Sequence, residues 1–235
     1  MVEQPLLLQS AGDFGIYHKP MGWHSVRQAH SDGGPCLQDW LEQTLPAQSS
    51  LPEGGVVHRL DVSTSGCVAV ALTSQAHMRL RARMGSSAGA ASAAGPGVTK
   101  LYLALARPGL PELGEFLLYF SSRYKGSKKV SVRDKGSLEE LGRCRWRVLR
   151  RGDEGDAVAL WLLGPGRRHQ LRAGLAYFGH PLCGDGLYGA PPDERFGQGA
   201  ALHAWMLELE GTRAVAPPPA WGDGLEVPER LGKVT

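Results

Sequence analysis

From Arg143 to Leu149 the chain reads R-C-R-W-R-V-L, with Arg143, Arg145 and Arg147 on one side of a two-residue period and Cys144, Trp146 and Val148 on the other. A period of two belongs to an extended strand, whose side chains leave alternate faces. A strand that is cationic on one face and apolar on the other needs partner strands and a core beneath one side. Leu101, Leu103 and Leu105 likewise alternate with Tyr102, Ala104 and Ala106. "CVAVAL" (67–72), "AVALWLLGPG" (157–166) and the start of "FGIYHKPMGWHS" (14–25), which ends in a Pro-Met-Gly turn, read as further strands.

Helical spacing is scarcer. "GGPCLQDWLEQTL" places Leu37, Trp40, Leu41 and Leu45 on one face, and "TSQAHMRLRARM" (73–84) offers Thr73 or Ser74 as an N-cap. A helix starts within "RRHQLRAGLAYFG" (167–179), and "ALHAWMLELEG" (201–211) reads as a late strand or helix. Strands outnumber helices without alternating regularly with them. That predicts an α+β fold, with a mixed, largely antiparallel sheet flanked by helices and loops. "GSSAGAASAAGPG" (85–97) has too little apolar surface to offset its ordering entropy, and is expected to be a flexible loop.

Length and composition narrow the function classes. A chain of 235 residues buries a sizeable core. No apolar run approaches the roughly 20 residues of a membrane-spanning helix, and the N-terminus lacks a secretory signal pattern, so a cytoplasmic protein is expected. The four cysteines, Cys36, Cys67, Cys144 and Cys183, are scattered, which removes zinc-site spacing and argues against a disulfide framework. Cys67 and Cys144 sit in apolar or alternating runs and are expected to be buried, inert thiols. Net charge is only +3, but residues 123–151 hold eleven Lys or Arg against three Asp or Glu. Such a segment fits either a polyanion-binding surface or a solvated charged one.

Three stretches carry candidate chemistry: "HRLDVSTSG" (58–66), "TKLYLAL" (99–105) and "GPGRRHQLRAGLAYFGHPLCGDGLYG" (164–189). Taken singly, each has a structural reading. Asp61 closes a turn or is a reactive carboxylate, Tyr102 is a half-buried strand aromatic, Arg172 is a helix surface charge, and Gly184-Asp185-Gly186 is a turn.

Together, and in this order, they resemble the RluA-type pseudouridine synthases. Residues 58–66 match that family's H-R-L-D-x-x-T-S-G signature at every defined position. "YHKPMGWHS" resembles its N-K-P-x-G strand and "KLYLAL" its K-x-Y-x-A strand. "GRRHQLRAGLAYFGHPLCGDGLYG" is similar to its G-R-x-H-Q-L-R-x-H…G-x-P-I-x-G-D-x-x-Y-G block, and "LHAW" to its closing L-H-A element. The resemblance covers about residues 14–210.

The resemblance implies an RNA pseudouridine synthase with that family's catalytic fold, acting on ribosomal or transfer RNA. Asp61 would be the catalytic carboxylate. Tyr102 would stack on the target base and is a candidate for moving a proton, and Arg172 would pair with Asp61. His58, Arg59, Lys100, His169, Gln170 and Leu171 would bind substrate around them. Lys125, Lys128, Lys129, Arg143, Arg145 and Arg147 are candidates for the RNA backbone. No cofactor and no metal are expected, no membrane partner, and a monomer. The expected domain is a single catalytic one over residues 1–235, without a separate N-terminal RNA-binding domain.

The chemistry explains those residue types. Pseudouridine forms when the bond from uracil N1 to the sugar breaks, the base rotates, and C5 joins the sugar. A carboxylate serves by attacking the sugar, by stabilising an oxocarbenium-like centre, or by removing a neighbouring proton; these routes stay open. Each needs an ionised carboxylate in a dry pocket, and a guanidinium within about 4–6 Å favours the anion. Extruding a base costs a few kcal/mol, of which an aromatic platform recovers about 1–3 kcal/mol.

The chain departs from the family pattern at His18, where Asn is usual, at Val62-Ser63 after the Asp, and at Gly174, where a His is usual. Gly174 costs a helix about 1 kcal/mol relative to Ala. Two other readings compete. One is a catalytically silent RNA-binding protein that keeps the fold. The other is a glycoside hydrolase, which needs two flanking carboxylates, with only Asp185 available as the second.

Overall fold

The computed structural model describes residues 3–28, 33–85, 97–122, 124, 126–197 and 199–228. The Gly/Ala/Ser stretch falls, at residues 86–96, outside them, as does Lys125.

Ten strands form one sheet: β1 (Leu6–Ala11), β2 (Phe14–Lys19), β3 (Ser65–Ala71), β4 (Val98–Ala106), β5 (Leu113–Ser121), β6 (Ser131–Arg133), β7 (Leu141–Arg150), β8 (Asp156–Leu163), β9 (Leu202–Leu209) and β10 (Thr212–Val215). Their order is β1-β2-β3-β9-β4-β8-β7-β5-β6, with β10 also on β9. The pairings are antiparallel except β3 with β9, which run parallel through Ser65↔His203 and Gly66↔Ala204. Three α-helices flank it among the described residues: α1 (Leu37–Thr44), α2 (Ser74–Gly85) and α3 (Gln170–Tyr177). The α+β architecture matches the expectation, and "LHAWMLEL" resolves as strand β9. None of these helices is long and apolar enough to cross a membrane.

Burial explains the two kinds of strand pattern. β4 and β8 are central and covered on both faces, so their sequences are almost continuously apolar. β7 and β5 are covered on one face only, and alternate. On the covered face Cys144, Trp146 and Val148 join Leu160, Leu162, Phe116, Leu171, Leu175 and Tyr102 in the main core. On the opposite face Leu101, Ala159, Trp161 and Met206 pack beneath the C-terminal segment at Val227. Each fully buried leucine in such a core stabilises the fold by roughly 1.5–3 kcal/mol.

Helix α2 is capped as its sequence suggests: Ala76 N–H donates to Thr73 Oγ1 at 3.1 Å. Its Ala76, Leu80 and Met84 form a buried stripe at a spacing of four. All four cysteines are free and buried, and burial pushes the Cys67 thiol up to about 12.

Candidate active site

Asp61 lies in a tight turn immediately before β3, closed by Thr64 N–H donating to the Asp61 carbonyl at 3.0 Å. The segment after β2 holds that turn in place. Ser25 Oγ donates to the Leu60 carbonyl at 2.9 Å and accepts from Leu60 N–H at 3.0 Å, while Gly22 N–H donates to the Val62 carbonyl at 2.8 Å. Lys19, fully buried, shapes the segment itself, because its Nζ donates to the carbonyls of Pro20 and Trp23 at 3.0 and 2.8 Å. The K-P-x-G sequence therefore acts on Asp61 at second hand, by bracing the loop that carries it.

Gly66 ends the signature for a steric reason. Its φ is +112°, and a Cβ there would stand 2.2 Å from the Ala204 carbonyl oxygen. Only glycine allows β3 and β9 to approach at this point. Opposite, the β4–β9 register shifts between Leu101 and Leu103, so the ladder is interrupted at Tyr102. Such irregularities re-aim a side chain beside a site.

Arg172, in the first turn of α3, reaches Asp61 from across the chain, its Nη1 donating to Oδ2 at 3.0 Å. Its other two bonds go to Asp185: Nε to Oδ2 at 2.7 Å and Nη2 to Oδ1 at 2.8 Å. Burial works against the charge of Arg172, yet Asp185 and then Asp61 raise its pKa above the ordinary arginine value. The Tyr188 ring lies under the guanidinium, 5.5 Å from its carbon. Gly184-Asp185-Gly186 is thus a turn in its backbone, while its carboxylate is buried as the grip on Arg172.

Tyr102 and Lys100 leave β4 on the same face, two residues apart, and line the cleft with Asp61, Arg172 and Leu171. Burial, and then the charge of Asp61, push the Tyr102 hydroxyl above its ordinary range, so it is protonated at neutral pH. Burial lowers Lys100 to about 8 and Lys19 to about 7, with Asp61 opposing the second shift. The cleft has a volume of about 1160 Å³. Arg59 stands exposed at its rim, and Arg167 and Arg168 line it opposite.

The remaining candidates are placed less alike. His58 lines the cleft, but its Nε2 accepts the Ala69 N–H at 3.1 Å, and burial lowers its pKa to about 3. Gln170 donates to the Arg143 carbonyl at 2.9 Å and accepts from Arg167 N–H at 2.9 Å, tying α3 to β7. His169 lies 3.7 Å from Asp61 through its Nε2. Lys128 and Lys129 belong to the segment that Arg168 holds by donating to the carbonyls of Ser127 and Lys128 at 2.7 and 2.9 Å. Arg143, Arg145 and Arg147 are not brought to the cleft. They occupy the β7 face opposite the main core, with Arg145 donating to Glu115 at 2.7 Å.

Sequence reasoning missed Asp185, Tyr188, Ser25 and the arginine pair at 167–168 as parts of the site. Asp185 and Tyr188 stand in the quoted G-D-x-x-Y-G block, which carried a signal without a role. Arg167 likewise fills the Arg position of G-R-x-H-Q-L-R, whereas Ser25 and Arg168 had no signal beyond their nearness to a motif. Among the departures, His18 pairs with Glu3 at 3.7 Å and faces His203. At Gly174 a Cβ would stand 2.4 Å from the Phe116 ring, so a phenyl group occupies the space beside that position.

A family model described as RNA pseudouridylate synthase matches residues 13–177. The ribosomal large subunit pseudouridine synthase D of Nitrosomonas europaea is 32% identical over 201 residues, 83% of this chain and 54% of that protein. The dual-specificity RNA pseudouridine synthase RluA of Yersinia pestis is 30% identical over 195 residues, 82% of this chain and 85% of that one. The chain spans about half the length of the synthase D relatives that it matches. Among solved structures, human RNA pseudouridylate synthase domain containing 1 aligns with a TM-score of 0.63 at 25% identity, over 93% of this chain and 85% of that one.

Proposed function

The chain belongs to the RluA-type RNA pseudouridine synthase family, and from that premise we propose that it isomerises uridine in ribosomal or transfer RNA to pseudouridine with Asp61 as the catalytic carboxylate. The observation that carries this reading is the Asp61–Arg172 pair at 3.0 Å, set in a cleft that Tyr102 and Lys100 also line.

In the reaction the N1–C1′ bond breaks, the C5–C1′ bond forms, a proton leaves C5 and one is taken up at N1. No atom is gained and nothing is oxidised, so no cofactor is required. Arg172 aims Asp61 by binding its Oδ2. Tyr102 supports the extruded base through its ring, which is the use suited to a hydroxyl that stays protonated at neutral pH. Arg59, Arg167 and Arg168 at the rim, with Lys128 and Lys129 beside them, suit the phosphate backbone. Arg143, Arg145 and Arg147 face away from that path and have no part in it.

The test is to incubate wild-type protein and Asp61→Asn with ribosomal and transfer RNA transcripts and map pseudouridine. Wild type is expected to produce sites that Asp61→Asn does not. RNA binding by wild type without any base change would favour the catalytically silent reading instead.

A further inference from the structure

His169 is the residue before α3, and its backbone sits in the left-handed region at φ 53°, ψ 19°. Non-glycine residues adopt that region at a cost, and do so disproportionately at functional sites. Here the conformation aims the imidazole between two groups. Nε2 faces Asp61 Oδ2 at 3.7 Å, and Nδ1 lies 2.8 Å from the Tyr188 hydroxyl, with the rings edge-on at 5.7 Å.

The hydroxyl of Tyr188 already accepts the Val130 N–H at 3.1 Å, so its own proton is available for Nδ1. Nε2, facing a carboxylate, is the nitrogen that gains from carrying hydrogen. Both arguments select the same tautomer, protonated on Nε2. Arg172 Nη1 binds the same oxygen, Oδ2, and no hydrogen bond to Oδ1 is found among the described residues.

We propose that His169 is a positioning residue for Asp61: held by Tyr188 as the neutral Nε2–H tautomer, it and Arg172 fix Oδ2 and leave Oδ1 as the oxygen that reacts. The inference rests on Asp61 being the reacting carboxylate. A distance of 3.7 Å is longer than a hydrogen bond, and catalytic contacts are commonly loose before substrate closes them.

The charged groups around the ring support the neutral state. Burial lowers the pKa of His169; Asp61 and Asp185 oppose that shift, Arg172 and Arg168 add to it, and the net direction is down. Tyr188, its remaining partner, is itself raised by burial and uncharged at neutral pH.

Two measurements on the full chain test this. In histidine-labelled protein, nitrogen NMR, assigned by difference against His169→Asn, should show His169 as the Nε2–H tautomer at pH 7.5, titrating below its ordinary value. Tyr188→Phe should shift it toward a tautomer mixture. An Nδ1–H tautomer in wild type would overturn the proposal. The second measurement is tritium release from [5-³H]uridine-labelled ribosomal and transfer RNA transcripts. His169→Asn tolerates the left-handed backbone but removes Nε2, and should lower kcat about 100-fold with KM unchanged. His169→Gln restores a donor at that reach and should recover most of the loss. A wild-type kcat in His169→Asn overturns the proposal. Release of no tritium by wild type sinks the activity reading instead, and the NMR result then decides the tautomer alone.

Discussion

Arg172 is bound twice by Asp185 and once by Asp61, so the carboxylate that holds it hardest is the one outside the signature at residues 58–66. Asp185 is 1% exposed, and Arg172 8%. A buried pair of this kind is costly to break, because the surviving charge is left with only its single bond to Asp61. Asp185→Asn should therefore destabilise the fold by about 3–5 kcal/mol in urea unfolding. It should also lower pseudouridine formation, since the amide keeps one acceptor but sets an NH2 against the guanidinium, and the two-bond grip that aims Arg172 is lost. Full activity in a folded Asp185→Asn protein would show that Arg172 needs no such support.

Tyr102 separates ring from hydroxyl. Its hydroxyl is held protonated and its ring lines the cleft, so stacking is the larger expected contribution. Tyr102→Ala should weaken binding to a uridine-containing RNA by about 1–3 kcal/mol, read by fluorescence anisotropy. Tyr102→Phe should bind as wild type does. Weak binding by both variants would place the hydroxyl, and not the ring, in contact with RNA.

Gly174 offers a sign test. Helix propensity alone predicts that Gly174→Ala gains about 1 kcal/mol. The Phe116 ring stands where the new methyl would go, and overpacking of that kind costs about 1–3 kcal/mol. Gly174→Ala should therefore lower Tm in wild type and raise it in a Phe116→Ala background. Equal shifts in both backgrounds would show that the ring moves aside freely.

Stability should climb with pH from both ends of the range. His203, 1% exposed with Nδ1 on Ser65 Oγ at 2.8 Å, is lowered by burial and then by His18 to about 3, from 6.5. Between those values the unfolded chain binds a proton that the folded one refuses, so stability is lost as pH falls from 6.5 toward 3. Lys19, lowered to about 7 from 10.5, carries a buried charge below pH 7 and is relieved of it as pH rises to 10.5. Each change is on the order of a few kcal/mol. Urea midpoints at pH 4, 7 and 9 should rise in that order. His203→Asn should reduce the acid slope without abolishing it, because His58 is lowered to about 3 as well.

Local sequence determined much of this protein. The two-residue periods of β4 and β7, the apolar run of β8 and the spacing of α1 and α2 were legible because strands and helices answer to their own side chains. Asp61, Tyr102 and Arg172 were singled out only through the family resemblance of their stretches, and the structure brings the three to one cleft. What tertiary structure alone decided is which faces meet. The alternation of β7 shows that Arg143, Arg145 and Arg147 share a side, but only the packing of α3 shows that it is the side away from the cleft. The grip of Asp185 on Arg172, the brace of Ser25 on Leu60, and the ring of Phe116 beside Gly174 each join segments 13 to 58 residues apart. No period or propensity reports such contacts, because their energy depends on how separate elements pack and not on either element alone.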